Sequence, residues 1–129
     1  MGLYITFDKV TDITVGTVHA VDMLDDTNVH VFGDQVVAYV KEHPGLRLLL
    51  NFQHVIYLSS AAITELLRIN DTCRAGKGEV RLCGLTETIR SVFEITNLAR
   101  LFSVHPDDTL DTALARYERS LAVAQDAQG

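Results

Sequence analysis

The sequence predicts an α/β domain with a mixed β-sheet of about five strands and about four helices. Three observations carry this reading. An N-terminal pair of alternating apolar segments suggests an antiparallel hairpin. An unbroken apolar run, Leu48-Leu49-Leu50, lies near the middle of the chain. From there, strand-like and helix-like patterns alternate towards the C-terminus. Connections are short, with no internal repeat or low-complexity segment, so residues 1–129 read as one domain. Its core spans about 3–121, and the tail at 122–129 is expected to fray.

The elements follow in order. Leu3, Ile5 and Phe7 alternate with Tyr4, Thr6 and Asp8, the period of a half-buried strand. Asp8 to Asp12 reads as a polar turn. A second strand presents Ile13, Val15 and Thr17 on one face and continues towards Val21, although Gly16 weakens the pattern. Asp25, Asp26 and Thr27 offer capping groups for a helix reaching about Glu42, with an inner stripe of Val29, Phe32, Val36 and Val40. His43-Pro44-Gly45 stops it, because proline cannot continue the hydrogen-bond ladder.

The central segment runs from Arg47 to Gly76. A continuous apolar strand, closed by Asn51 and Phe52, suits burial on both faces. After a short descent through His54 to Leu58, a helix opens at Ser59 or Ser60. Ala62, Leu66, Ile69 and Cys73 form its stripe, widened by Ile63 and Leu67, while Thr64, Glu65, Arg68 and Thr72 are expected in water. The serines therefore stand where unpaired amides and the helix dipole favour an oxygen cap or a phosphate. Beyond Gly76-Lys77-Gly78, Glu79 to Cys83 alternates as a strand. A third helix follows through Ile95, its apolar side made by Ile89, Val92, Phe93 and Leu98, with Asn97 placed for a left-handed stop. Leu101 to Val104 reads as a short strand. Asp107, Asp108 and Thr109 then cap a last helix carrying Leu110, Ala113, Leu114, Tyr117 and Leu121.

Bulk properties narrow the function. The net charge is −6 and 22% of residues are charged, with Lys and Arg scattered. Nucleic acid and anionic membrane surfaces are poor partners for such a chain; a basic protein surface is the better match. No apolar run approaches the ~20 residues that span a bilayer, and no signal-peptide pattern opens the chain, so a cytoplasmic location is expected. Cys73 and Cys83 fall at buried positions and read as small hydrophobes rather than a required disulfide. The five histidines are dispersed without ligand spacing. No phosphate-binding glycine loop or nucleophile elbow is present. Neither a metal, a cofactor nor an enzyme activity is therefore expected. Asp107, Asp108 and Asp111 are better explained by capping than by a cation.

Motifs add a resemblance. The segment RLLLNFQHVIYLSSAAITELL, followed by LCGLTETIRSVFEITNLARLF and HPDDTLDTAL, resembles the STAS domain, the fold of bacterial anti-sigma factor antagonists. The likeness covers nearly the whole chain, from the hairpin to about Leu121. It implies a partner switch: the unphosphorylated domain binds an anti-sigma factor that is also a serine kinase, freeing a sigma factor. Phosphorylation of the first serine of the motif then dissolves the complex. In this chain that serine is Ser59, with Ser60 as second choice. The partner-binding residues implied are Leu58, Ser59, Ser60, Ala61, Thr64, Glu65 and Arg68. Three positions depart from the family pattern: Leu58 and Asn51 stand where it usually has Asp, and Ala61 where it has Gly. The alternatives are a STAS scaffold that binds constitutively without the phosphoswitch, and a nucleotide-binding STAS domain.

Overall fold

A computed structural model describes residues 5–19, 23–25, 27–106 and 108–128. Leu3, Tyr4, Val21, Asp26 and Asp107, used in the sequence reading, lie outside them. The opening hairpin pairs β1 (Ile5–Val10) with β2 (Ile13–Val18) antiparallel, Ile5 opposite Val18 and Val10 opposite Ile13. The connection is tighter than the expected Asp8–Asp12 turn. Only Thr11 and Asp12 leave the ladder, with Thr11 at a φ of 56°. Gly16, which weakens the strand pattern in the sequence, serves packing instead. A Cβ there would come within 3.0 Å of Ile5 and Leu50 side chains, so its absence lets them close over β2.

β2 lies parallel to β4 (Arg47–Asn51), and β4 parallel to β6 (Glu79–Cys83), giving the sheet order β1-β2-β4-β6. The central position explains the triple leucine, because both faces of β4 are covered. Leu48 and Leu50 join Ile5, Val18, Val80 and Leu82 beneath α1 (Val29–Glu42) and α2 (Ser60–Ala75). Leu49 faces the other way, with Ile13 and Cys83, against Ala113 and Tyr117 of α5 (Leu110–Gln128). The Tyr117 hydroxyl donates to the Glu79 carbonyl at 2.9 Å, and the Arg81 guanidinium sits 4.2 Å above its ring. That helix carries helical backbone through Gln128, continuous past Ala122.

Several elements differ in detail from expectation. Val29, Phe32, Val36 and Val40 are buried as the stripe requires, but α1 takes Asn28 as N-cap. Asp25 and Thr27 build the turn before it: the Asp25 carboxylate accepts from the Thr27 amide and hydroxyl. The expected strand at Leu101–Val104 is absent. Asn97, left-handed as anticipated at a φ of 63°, leads into a single turn, α4 (Leu98–Leu101), and Ser103 also takes positive φ. The Phe102 carbonyl nonetheless accepts from the Leu82 amide at 3.0 Å, so this segment meets the β6 edge without extended geometry. Among the described residues the main sheet thus has four strands, against about five expected, and there are five helices. A separate two-stranded parallel ladder joins β3 (Met23–Leu24) to β5 (Tyr57–Leu58). In α3 (Glu87–Ile95), Ile89 and Phe93 are buried, whereas Val92 is exposed.

Both thiols are free and buried. Burial, and then the nearby Asp108 carboxylate, pushes the Cys83 thiol up to about 12, and burial raises Cys73. Neither forms appreciable thiolate at pH 8, so a disulfide-exchange reagent should leave the native chain unlabelled and modify both thiols after guanidinium unfolding. Rapid labelling of either in the folded chain would contradict the packing described.

Candidate functional site

The site begins where β4 ends. Asn51 is buried, and its side chain folds back on the next turn: its carbonyl oxygen accepts from the Gln53 amide at 3.2 Å, and its Nδ2 donates to Gln53 Oε1 at 3.1 Å. A carboxylate could make the first of these bonds but not the second, which gives the amide at this position a physical reason. Buried Phe52 and Val55 anchor the descent. Ile56 and Tyr57, the latter the first residue of β5, then emerge into solvent.

Ser59 is held from two sides. Its amide donates to the Leu24 carbonyl at 2.9 Å, extending the β3–β5 contact. Its Oγ accepts from the Ala62 amide at 3.2 Å, the bond of an N-cap serine, with Ser59 itself in extended backbone. The side chain is half-buried. Ser60, the first residue of α2, is exposed. Leu58 and Ala61 are partly buried against the core. Thr64 is exposed and donates its hydroxyl back to the Ser60 carbonyl. Leu58, Ser59, Ser60, Ala61 and Thr64 are thus brought together around the start of α2.

Glu65 corrects the sequence reading. It is buried rather than solvated, although its helical position places it beside polar neighbours. The cause is α1: Gly33 lacks a side chain where the Glu65 carboxylate rests, and a methyl group there would collide with it. The Arg68 guanidinium reaches Glu65 at 2.6 Å and Asp34 of α1 at 2.8 Å, while His30 Nδ1 lies 4.0 Å from Glu65. These hydrogen bonds, first that to Asp34 and then that to Glu65, raise the Arg68 pKa. Arg68 keeps an exposed side chain, but Glu65 belongs to the seam between α1 and α2 and is not part of an open docking face.

Charge near Ser59 comes from another element. Asp25 follows Leu24, the residue bonded to the Ser59 amide, and its hydrogen bonds from Thr27 hold its carboxyl below the usual carboxylate range. Elsewhere, His19 pairs with Thr6 and His54 with Gln53. Among the described residues no group of three or more His, Cys, Asp or Glu could hold a metal ion, and no helix is long and apolar enough to cross a membrane. Sequence patterning did not find the β3–β5 ladder or the Gly33–Glu65 contact; both depend on partners remote in the chain.

Comparison with known proteins bears on this arrangement. The family model described as STAS domain matches residues 4–113. This chain belongs to the STAS domain family. A Bordetella bronchiseptica protein with the provisional name anti-sigma factor antagonist BtrV is 26% identical over 117 residues, covering 91% of this chain and 97% of that protein. Among solved structures, a STAS domain protein from Planctomyces limnophilus superposes with a TM-score of 0.75 at 20% identity, covering 88% of this chain and 96% of that one. The anti-sigma factor antagonist SpoIIAA superposes in its unphosphorylated form with a TM-score of 0.70 at 19% identity, over 88% of this chain and 96% of its own. The Bacillus SpoIIAA structure in the phosphorylated form gives 0.65 at 19% identity, over 87% and 97%. Family and fold are those shared by anti-sigma factor antagonists.

The cap makes a test of the STAS site's local geometry. Ser59→Ala should lower unfolding free energy by about 0.5–2 kcal/mol, whereas Ser59→Asp, which can also cap, should stay within a few tenths of the parent. Ser60→Ala should cost less than Ser59→Ala. Urea titrations monitored by circular dichroism separate the three, and equal losses at both serines would refute the capping geometry.

Proposed function

We propose that this STAS domain is an anti-sigma factor antagonist of a bacterial partner-switching pathway, acting in the cytoplasm as a binding module rather than an enzyme. Its partner is an anti-sigma factor that is also a serine kinase. The single observation supporting the reading most strongly is Ser59: a hydroxyl fixed at the start of α2, half-buried, with exposed Ser60 and Thr64 beside it. Leu58, Ala61 and Arg68 complete the partner-binding surface. In the unmodified state the partner lies against the helix start. The kinase transfers phosphate to Ser59 Oγ, placing about −1.5 to −2 charges there at pH 7. The helix N-terminus tolerates that charge, but a partner packed on it does not: its facing groups are left against a desolvated anion. Release therefore requires no loss of fold. Leu58, in place of the usual Asp, removes one carboxylate that would repel the phosphate.

A constitutive scaffold is the second reading. It is favoured by Leu58 and Asn51, which leave the switch without the two carboxylates common in the family. Purified chain, cognate anti-sigma factor kinase and ATP distinguish the two. The expected outcome is a mass gain of one phosphate, lost in Ser59→Ala but retained in Ser60→Ala, with dissociation of the complex. Persistent binding without any mass gain would select the scaffold, and no binding to an anti-sigma factor would overturn both.

A further inference from the structure

The sheet order β1-β2-β4-β6 leaves two edges. At the β6 edge the Leu82 amide is already used by the Phe102 carbonyl. At the other edge, among the described residues, no strand pairs with the outer side of β1. That strand keeps an unbroken register with β2 over its six residues, with no proline or bulge to blunt it.

The hairpin fixes which backbone groups are open. Thr11 and Asp12 form a two-residue turn, so Val10 and Ile13 are the closing pair and exchange both of their N–H···O bonds. Alternation gives the same role to Asp8 with Val15 and to Thr6 with Thr17. The amides and carbonyls of Ile5, Phe7 and Lys9 therefore point away from the sheet.

These groups match themselves about a two-fold axis at Phe7. All three residues then pair: Phe7 faces its counterpart, and Ile5 faces Lys9 of the copy. Between them the Thr6 hydroxyl stands opposite the Asp8 carboxylate of the copy, a donor against an acceptor. Moving the axis to Asp8 would oppose two carboxylates, and moving it to Thr6 would lose a hydrogen-bonded pair. The helix above agrees with the same axis. Tyr39 of α1 stacks on Phe7 with ring centroids 3.8 Å apart, and Gln35, Ala38 and Glu42 line the groove beside them. Ala38 is exposed and small, so two copies of α1 can approach there. A turn to either side, Glu42 meets Gln35 of the copy rather than another carboxylate.

We propose that a second copy of this chain adds its β1 antiparallel to this edge, Phe7 beside Phe7, making one continuous eight-stranded sheet. The contact needs neither Ser59 nor an anti-sigma factor.

Sedimentation of the purified chain over a concentration series, with a register-specific cross-link, tests it. The parent should pass from monomer to dimer. Ala38→Glu, which sets a carboxylate against its own counterpart at the axis, should weaken association on the order of 10-fold or more while leaving the melting temperature unchanged. Chains carrying Thr6→Cys, mixed with chains carrying Asp8→Cys, should form a disulfide dimer on mild oxidation, because opposed residues of this kind have Cα atoms about 4.5 Å apart. Neither chain alone should do so, and buried Cys73 and Cys83 stay out of the reaction. A parent that remains monomeric throughout, a dimer that Ala38→Glu leaves equally tight, or cross-linking no stronger in the mixture than in either chain alone would overturn the proposal.

Discussion

The constraint on which the rest of the structure depends is the fixing of Ser59 from both directions. The amide is tied to the Leu24 carbonyl and the hydroxyl to the first turn of α2. One bond joins the serine to a small parallel ladder, the other to the helix it begins. Because α2 is seated on the core through Ala62, Leu66, Ile69 and Cys73, the hydroxyl inherits the rigidity of the sheet. A switch residue on a free loop would spend part of any added charge on local rearrangement. Under the proposed switch, a phosphate on Ser59 would act outward rather than on the fold.

The surroundings follow from how neighbouring elements pack. Gly33 opens a seat for Glu65, and Arg68 spans from that carboxylate to Asp34. This ties α1 to α2 about two turns beyond the serine, so the helix start cannot slide independently of α1. On the other flank, Ile56, Tyr57, Leu58 and Ile63 meet exposed Val92 of α3 around a shallow apolar groove. The helix start is therefore bordered by a polar clamp on one side and an apolar groove on the other. On the far face of the sheet, α5 buries Leu49 and Cys83 and leaves the helix-start surface to α1, α2 and α3.

Much of this was legible because strong local signals agreed with the tertiary result. The triple leucine identified the central strand, since only a strand covered twice accommodates Leu48, Leu49 and Leu50 together. Asn97 declared its left-handed turn through its own chemistry. The missed features share another cause. β3 and β5 have two residues each, too few for any periodicity, and they exist only because the chain crosses at Leu24 and Leu58. The Leu101–Val104 segment looks extended by composition, yet positive φ at Asn97 and Ser103 curls the chain around it. Glu65 obeyed the helical wheel only until a glycine on α1 changed what lay opposite. Ile56 and Val92 carried no warning of exposure, because an apolar residue in a sequence does not say whether a neighbour will cover it.

The central claim, that a charge on Ser59 acts on a preserved scaffold, is tested most directly by nitrogen–proton NMR spectra of the chain before and after stoichiometric phosphorylation, each titrated with the anti-sigma factor. The account predicts shifts confined to Leu24, residues 58–63 and their immediate contacts, native dispersion elsewhere, and loss of partner-induced broadening in the phosphorylated form. Collapse of the dispersed spectrum, or unchanged partner binding after modification, would contradict it.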